Sequence, residues 1–130
     1  MWIYANPNPC RRHEPDCVVR AISVATGTAW EDVHGDLCRL SRDECTMPSV
    51  NWLWEKYLRM RGFRKFLLPD RCPECVTVRR FCEHFPEGTY VIGTGTHAVA
   101  VIDGNYYDTW DSGDEIPTYF FRMRRNHNGV

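Results

Sequence analysis

The sequence lacks the features that identify several classes of protein. It has no apolar run long enough to cross a membrane, no internal repeat and no low-complexity tract. Its first residues, MWIYANPNPC, lack both the basic region and the apolar run of a secretory signal, so we expect a cytoplasmic protein. Neither sign of charge is in excess, because 16 basic and 17 acidic residues give a formal charge of -1. We therefore expect neither a nucleic acid nor a membrane as the partner.

The composition is that of an ordinary globular protein. The chain has 130 residues, 43% of them apolar and 13% aromatic, which suits one domain with a single core. Its seven cysteines are more than usual, but an odd number in a cytoplasmic protein favours reduced thiols over a disulfide framework. Each cysteine is therefore a candidate for core packing, metal binding or nucleophilic chemistry.

The residue pattern divides this single domain, residues 1–130, into parts of different character. Residues 1–15 are rich in proline and lack periodicity, which predicts an extended arm. Residues 16–62 predict helices, and residues 63–123 predict mainly strands of an antiparallel sheet. The polar composition of residues 124–130 predicts a frayed tail. The expected fold class is α+β, with N-terminal helices packed on a C-terminal antiparallel sheet.

The first predicted helix begins with a cysteine. Apolar residues at helical spacing run from Cys17 to Thr26, with Asp16 as a good N-cap and Gly27 placed to end the helix. Cys17 therefore falls in the first turn. There the helix dipole and the free backbone N–H groups favour its thiolate, which makes it a candidate nucleophile.

Other helices and strands follow from the same kind of pattern. Thr28 and Glu31 form a capping-box pattern that predicts the start of a second helix. A third helix is predicted from about Ser49 to Arg61, and Thr77 is placed to cap a short fourth helix. Strands are predicted at 63–68, 90–92, 97–102, 106–110 and 116–123.

The segment THAVAVIDGNYYDTWDS, residues 96–112, predicts a hairpin that carries a histidine and carboxylates. The Asp103-Gly104 dipeptide favours a two-residue turn. In that register His97 and Asp108 are diagonal neighbours, within reach of a hydrogen bond between carboxylate and imidazole.

Strand alternation in this register places His97, Val99, Asp108 and Trp110 on one face of the sheet. A three-residue turn would shift the register by one residue and put Asp111 opposite His97 instead. Asp108 is the preferred partner of the imidazole, since Asp111 opens a stretch of turn residues. Asp111 is the alternative.

Cys17, His97 and Asp108 together have the chemical types of a catalytic triad. The thiolate would be the nucleophile, the imidazole the general base, and the carboxylate the group that orients the ring. The backbone N–H of Cys17 is a candidate donor to an oxyanion, as at other helix N-termini.

The order of these residues along the chain matches that of a known family. An Asp16-Cys17 pair opens a helix, His97 starts a late strand, and Asp108 lies on the next strand. This order resembles the papain-like cysteine peptidase fold, in its small C39-like bacterial and phage versions. Nearly the whole chain also resembles a group of small uncharacterised phage and gut-bacterial proteins. The stretches that carry this likeness are NPNP, DCVVRAI, TAWEDV, MP, GTYVI, HAVAVIDG and YDTWDSGDE.

The resemblance implies a cysteine protease or a related hydrolase. Cys17 would form an acyl-thioester with a peptide, isopeptide or other amide, His97 would be the base, and Asp108 would orient it. It also implies a peptide or protein substrate and no cofactor. In a phage-encoded protein the substrate would be a host protein in the host cytoplasm.

The chain departs from the family pattern at the expected oxyanion donor. Papain-like enzymes usually have a glutamine shortly before the cysteine, whereas residues 11–16 read RRHEPD. Asn6, Asn8 and His13 are candidate substitutes, and the Cys17 backbone alone is a further candidate. Losing one such donor typically slows an enzyme by about 100- to 1,000-fold.

Two other interpretations belong to different functional classes. The missing glutamine favours a binding module that keeps the papain-like cleft and captures a host protein or a small ligand without chemistry. In either case Asp16 and Trp110 are candidate walls of the cleft.

The second interpretation is a zinc site. Cys72, Cys75, Cys82 and His84 have the ligand types of a tetrahedral zinc site. Their spacing is irregular, and a helix over Cys82 and His84 would point the two side chains to different faces, so we expect no metal.

Overall fold

Four helices and six strands make up the part of the chain that the computed structural model describes, residues 1–69 and 76–124. The helices are α1 (Cys17–Thr26), α2 (Trp30–Asp43), α3 (Asn51–Met60) and α4 (Val78–His84). The strands are β1 (Trp2–Tyr4), β2 (Phe63–Leu67), β3 (Thr89–Gly93), β4 (Ala98–Ile102), β5 (Asn105–Asp108) and β6 (Tyr119–Met123). The predicted α+β class is confirmed. None of the described helices combines the length and the apolar content needed to span a bilayer.

The sheet is mixed, with the strand order β1-β5-β4-β3-β6-β2. Its neighbouring strands pair antiparallel except at one edge, where β1 runs parallel to β5 and Tyr4 lies opposite Asp108. The prediction of a purely antiparallel sheet was wrong at this edge, since the arm contributes a strand. The arm therefore supports the strand that carries Asp108.

Helices cover the sheet on two faces and enclose two apolar clusters. One cluster joins α1, α2 and α3 to the sheet and includes Ile22, Leu37 and Trp54. The other lies under α4 and includes Phe81 and Tyr90. Ala98 and Ala100 belong to the first cluster, and their small side chains suit the close approach of α1 to β4.

Helix α1 has the predicted bounds but not the predicted cap. Gly27 ends it in the left-handed conformation, with φ of 67°. The Asp16 side chain, by contrast, makes no hydrogen bond to the backbone of the first turn. Its carboxylate instead binds Arg20 and Trp30, so Asp16 has the predicted N-cap position but its side chain does not cap the helix.

The other predicted caps have mixed outcomes. Helix α2 begins at Trp30 without a side-chain cap, so the capping box was wrong, and the Thr28 hydroxyl accepts a hydrogen bond from Arg61 at 2.9 Å. The Thr77 cap is confirmed, because its hydroxyl accepts a hydrogen bond from the Arg80 N–H at 3.1 Å.

The hairpin between β4 and β5 has the predicted two-residue turn. Ile102 pairs with Asn105, which confirms the register. Asp103 and Gly104 have φ angles of 50° and 80°, the combination required by the turn that matches strand twist. The predicted common face does not extend to Val99, which packs in the α4 cluster, because His97 and Asp108 lie at the strand ends and turn towards α1.

Candidate active site

A cleft of about 830 Å³ opens at the N-terminus of α1. Cys17 and His97 both line it, although 80 positions separate them in the sequence. Helix α2 contributes Trp30 and His34 to the walls, and the arm contributes Asn8. The pairing of α1 with β4 brings the thiol and the imidazole together.

His97 is held by the loop before β4 and by the carboxylate of Asp108. Its backbone N–H donates to the Thr94 hydroxyl at 3.1 Å. Its side-chain Nε2 lies 2.7 Å from Asp108 Oδ2. The predicted contact between imidazole and carboxylate is therefore present, and Nδ1 is the ring nitrogen left to face the thiol.

Asp108 is surrounded by donors and is 3% exposed. Besides His97, it accepts hydrogen bonds from the Ser112 hydroxyl at 2.6 Å and the Thr109 N–H at 2.8 Å. Burial alone would raise the pKa of Asp108, but these hydrogen bonds and the charge of His97 lower it below the ordinary value. The carboxylate is therefore ionised at neutral pH.

Asp111, the alternative partner of the imidazole, lies elsewhere. It accepts hydrogen bonds from the Tyr106 hydroxyl and, at 3.1 Å, from the Gly113 N–H. It also lies 3.6 Å from the Arg79 guanidinium. Asp111 thus contacts β5, α4 and the turn after β5, and not His97, as follows from the two-residue turn.

The electrostatics of the cleft favour a thiolate on Cys17. Burial would raise the pKa of the half-buried thiol, but hydrogen bonds from His97 and the Ala98 N–H, with the charges of His97 and Arg20, lower it overall. Burial would likewise lower the pKa of His97, but its bonds to Asp108 and Cys17 and their charges raise it to about 9. The two shifts therefore favour the same charge state, a thiolate beside an imidazolium.

Arg20 links helix α1 to the Asp108 carboxylate, which also binds His97. It is 8% exposed. Its Nη1 binds Asp16 and also donates to the Glu14 carbonyl at 3.2 Å, while Nη2 lies 3.4 Å from Asp108 Oδ1. One buried guanidinium thus connects α1, the arm and the end of β5.

Asp16 lines the cleft as expected, but as part of this polar network. Its Oδ2 accepts hydrogen bonds from Trp30 Nε1 at 2.9 Å and from Asn8 Nδ2 at 3.3 Å. Because its carboxylate is engaged in this way, the backbone N–H groups in the first turn of α1 receive no side-chain cap.

The side-chain candidates for the oxyanion donor have other contacts. The Asn8 amide donates to Asp16, and the Asn6 amide donates to the Arg12 carbonyl at 3.3 Å. His13 is exposed and does not line the cleft. Of the predicted candidates, the backbone N–H of Cys17 is the one left facing the cleft.

Trp110 does not line the cleft, so it was wrong to expect it as a wall. Its ring instead lies over His97, with the ring centroids 5.2 Å apart and the planes at 38°. It therefore covers one side of the imidazole.

The zinc interpretation falls partly outside the described residues, since these omit Cys72 and Cys75. The two described residues of the set, Cys82 and His84, have different environments. Cys82 is buried in α4, where burial raises its pKa, and His84 is exposed at the end of that helix. Within residues 1–69 and 76–124, no three His, Cys, Asp or Glu side chains are grouped to hold a metal ion.

Sequence reasoning missed Arg20 and Ser112. The sequence contained a signal for Arg20. Asp16 and Arg20 are four residues apart, the spacing of an ion pair on a helix, and Arg20 is the charged residue within the buried stretch of α1. Ser112 had none, since its contact with Asp108 depends on the turn after β5.

Comparison of the chain with models of known protein families, with curated proteins and with solved structures found no match.

The Arg20→Met variant should be much less stable than the wild type. It leaves two buried carboxylates, Asp16 and Asp108, without their shared cation, which should lower the free energy of unfolding by about 3–5 kcal/mol. Urea unfolding followed by tryptophan fluorescence measures this change. Arg80→Met is the matched control, because its pair with Glu83 is exposed and should contribute less than about 1 kcal/mol. Equal losses in the two variants would contradict the bridging role.

Cys17 should react with iodoacetamide at a lower pH than the other accessible thiols. Its lowered pKa makes the thiolate available below the range in which an ordinary thiol ionises, about 8.5. Mass spectrometry of the labelled peptides at pH 6–7 should show faster alkylation of Cys17 than of the exposed Cys10 and Cys45. His97→Ala should slow Cys17 selectively, because burial then raises its pKa without opposition from the imidazolium. Equal rates for the three wild-type thiols at pH 6–7 would contradict the ion pair.

Proposed function

We propose that the protein is a cysteine-dependent hydrolase with a papain-like fold, a peptidase or a related isopeptidase or amidase. The observation that carries the proposal is that Cys17 shares one cleft with His97, whose Nε2 lies 2.7 Å from Asp108 Oδ2. The opposite pKa shifts of the thiol and the imidazole support this pairing. These groups can serve as nucleophile, base and orienting carboxylate in acyl transfer. Cys17 and His97 line a cleft large enough for part of a peptide chain, and Asp108 is buried behind the imidazole.

The reaction begins from the thiolate and imidazolium pair. The Cys17 sulfur attacks the substrate carbonyl carbon, and the carbonyl oxygen becomes an oxyanion. As the tetrahedral intermediate collapses, the C–N bond breaks and His97 Nδ1 gives its proton to the leaving amine. The product of this half-reaction is an acyl-thioester on Cys17.

Acylation itself prepares His97 for its second role. Part of the rise in the pKa of His97 to about 9 comes from the hydrogen bond and the negative charge of Cys17. The acyl-thioester has no such charge, so the pKa of the imidazole falls when it must act as a base. The neutral ring then takes a proton from water, the hydroxide attacks the thioester, and the acid is released as the C–S bond breaks.

Asp108 and Trp110 keep the imidazole ready for both steps. Because Asp108 binds Nε2, it fixes the ring orientation that presents Nδ1 to the sulfur. The Trp110 ring lies over the imidazole and limits the access of water to this bond. The cleft also has apolar walls, to which Leu37 and Trp54 contribute, and the substrate would contact these walls.

Acyl transfer to Cys17 tests the proposal directly. p-Nitrophenyl acetate should acetylate the wild-type protein at Cys17 with release of p-nitrophenolate, and Cys17→Ala should abolish this modification. Cys10→Ala is the matched control, because it removes an exposed thiol of the arm that also lines the cleft. Acetylation that persists in Cys17→Ala at the wild-type rate would contradict the nucleophile. Full biological activity of that variant would favour capture of a ligand instead.

Asp108→Asn should trap the acyl-enzyme. General base catalysis typically contributes about 100- to 10,000-fold, so an imidazole without its orienting carboxylate should hydrolyse the acetyl-thioester about 100-fold more slowly. A mass-spectrometric time course after removal of the ester measures this rate. Asp111→Asn should hydrolyse it at the wild-type rate, because Asp111 contacts Tyr106 and not His97. The reverse ranking of the two variants would contradict the assignment of the third group.

A further inference from the structure

The proposed reaction requires a donor to the oxyanion besides the backbone N–H of Cys17. The amides of Asn6 and Asn8 are engaged with other groups, and the chain has no glutamine. A second donor therefore has to come from another element that borders the thiol. The inference below rests on the proposed function and identifies this donor.

Tyr119 lies on the same side of the sheet as the nucleophile. It is the first residue of β6 and pairs with Gly93 of β3, which in turn pairs with Ala98 of β4. These three residues form a row across the sheet. The Ala98 N–H at the end of the row is close enough to the Cys17 sulfur to help lower the pKa of the thiol.

The Tyr119 ring lies flat along this row. A Cβ atom on Gly93 would collide with the ring carbon Cζ and with the hydroxyl oxygen, so the tip of the ring sits directly over the glycine. The hydroxyl therefore extends from β6 across β3 towards Ala98 and the thiol. Glycine at position 93 is what permits this close approach.

The ring is fixed in this position from its other sides. Lys65 Nζ lies 4.7 Å from the ring centroid, and the Trp54 ring centroid lies 6.2 Å away. Tyr119 is 9% exposed and lines the cleft. A donor held in this way needs little reorganisation during a reaction.

The hydroxyl is reachable from the cleft. No described residue accepts a hydrogen bond from it, and in the described part of the chain no side-chain polar atom is both fully buried and unpartnered. The oxygen is therefore not sealed from solvent, and because Tyr119 lines the cleft, a substrate bound there can approach it.

Electrostatics keep this hydroxyl protonated. Burial, with the negative charges of Glu55 and Cys17, raises the pKa of Tyr119 to about 12. The contribution of Cys17 also reflects how close the sulfur lies to the phenol. Tyr119 is therefore a neutral donor over the whole pH range in which the thiolate and imidazolium coexist.

We propose that the Tyr119 hydroxyl is a catalytic residue that donates a hydrogen bond to the substrate carbonyl oxygen as Cys17 attacks the carbon. It acts together with the backbone N–H of Cys17 and takes the place of the missing glutamine. The bond strengthens as the carbonyl oxygen becomes an oxyanion, which lowers the barrier to acylation.

Tyr119→Phe tests this role with two reagents, of which only one reacts with Cys17 through an oxyanion. Acylation by p-nitrophenyl acetate passes through an oxyanion and should slow by about 100-fold, the usual effect of losing one such donor. Alkylation by iodoacetamide forms no oxyanion, so its rate and pH profile at Cys17 should stay within about twofold of the wild type. Tyr90→Phe is the matched control, because it removes a buried hydroxyl from the α4 face, where it donates to the Glu87 carbonyl at 2.9 Å. It should leave both rates unchanged.

A sulfur-substituted ester gives a second measurement on the same proteins. The thionoester of p-nitrophenyl acetate has sulfur in place of the carbonyl oxygen and accepts hydrogen bonds weakly. Wild-type protein should prefer the oxygen ester over the thionoester more strongly than free cysteine does. In Tyr119→Phe this preference should fall towards that of free cysteine, a change that altered packing alone would not produce.

The outcomes separate the two proposals. If wild-type protein shows no acylation that depends on Cys17, the proposed hydrolase function fails, and the donor role fails with it. If wild-type protein is acylated and Tyr119→Phe reacts at the same rate with the same ester preference, only the donor role is overturned. If acylation and alkylation slow together, Tyr119 acts on the thiol itself, which also overturns the donor role.

Discussion

A single buried positive charge connects the parts of the candidate site. The Arg20 guanidinium lies between the carboxylates of Asp16 and Asp108, and the three groups are largely removed from water. Placing these charges in the interior is costly unless each is paired and hydrogen-bonded, and here every carboxylate oxygen has a partner. Because Arg20 belongs to the helix that begins with Cys17, the same interaction fixes the thiol relative to the histidine. The geometry of the site therefore depends on this ion bridge.

The bridge also changes how helix α1 begins. Asp16 occupies the usual position of a capping residue, yet its carboxylate turns to Arg20, Trp30 and Asn8. A capped helix would have its first N–H groups occupied by a side chain. Without that cap, the positive end of the helix is directed at the sulfur and at any oxygen bound beside it. Helix α1 therefore lacks the stabilisation that a side-chain cap would give it. In return, its first backbone N–H groups stay free to donate hydrogen bonds beside Cys17.

The sequence predicted those parts of the molecule that local patterns determine. The hairpin register followed from the Asp103-Gly104 turn, and the bounds of α1 followed from apolar spacing and Gly27. Contacts between distant segments were not predictable in this way. No local sequence signal predicts the pairing of β1 with β5, because the strands are parallel, about 100 residues apart and not joined by a tight turn. The approach of Tyr119 to Cys17 depends on the order of three strands, which one sequence does not specify.

The parallel pairing of β1 with β5 has a consequence for the timing of folding. The N-terminal amine donates to the Gly104 carbonyl at 3.2 Å, and the Trp2 indole donates to the Asp108 carbonyl at 3.1 Å. Contacts of such large sequence separation close long loops, and chains rich in them fold slowly. Cys17 is made early by the ribosome, whereas His97 and Asp108 come much later. A nascent chain therefore holds Cys17 as an ordinary thiol, and its environment changes only when the segment that carries His97 and Asp108 has been made and has packed against α1.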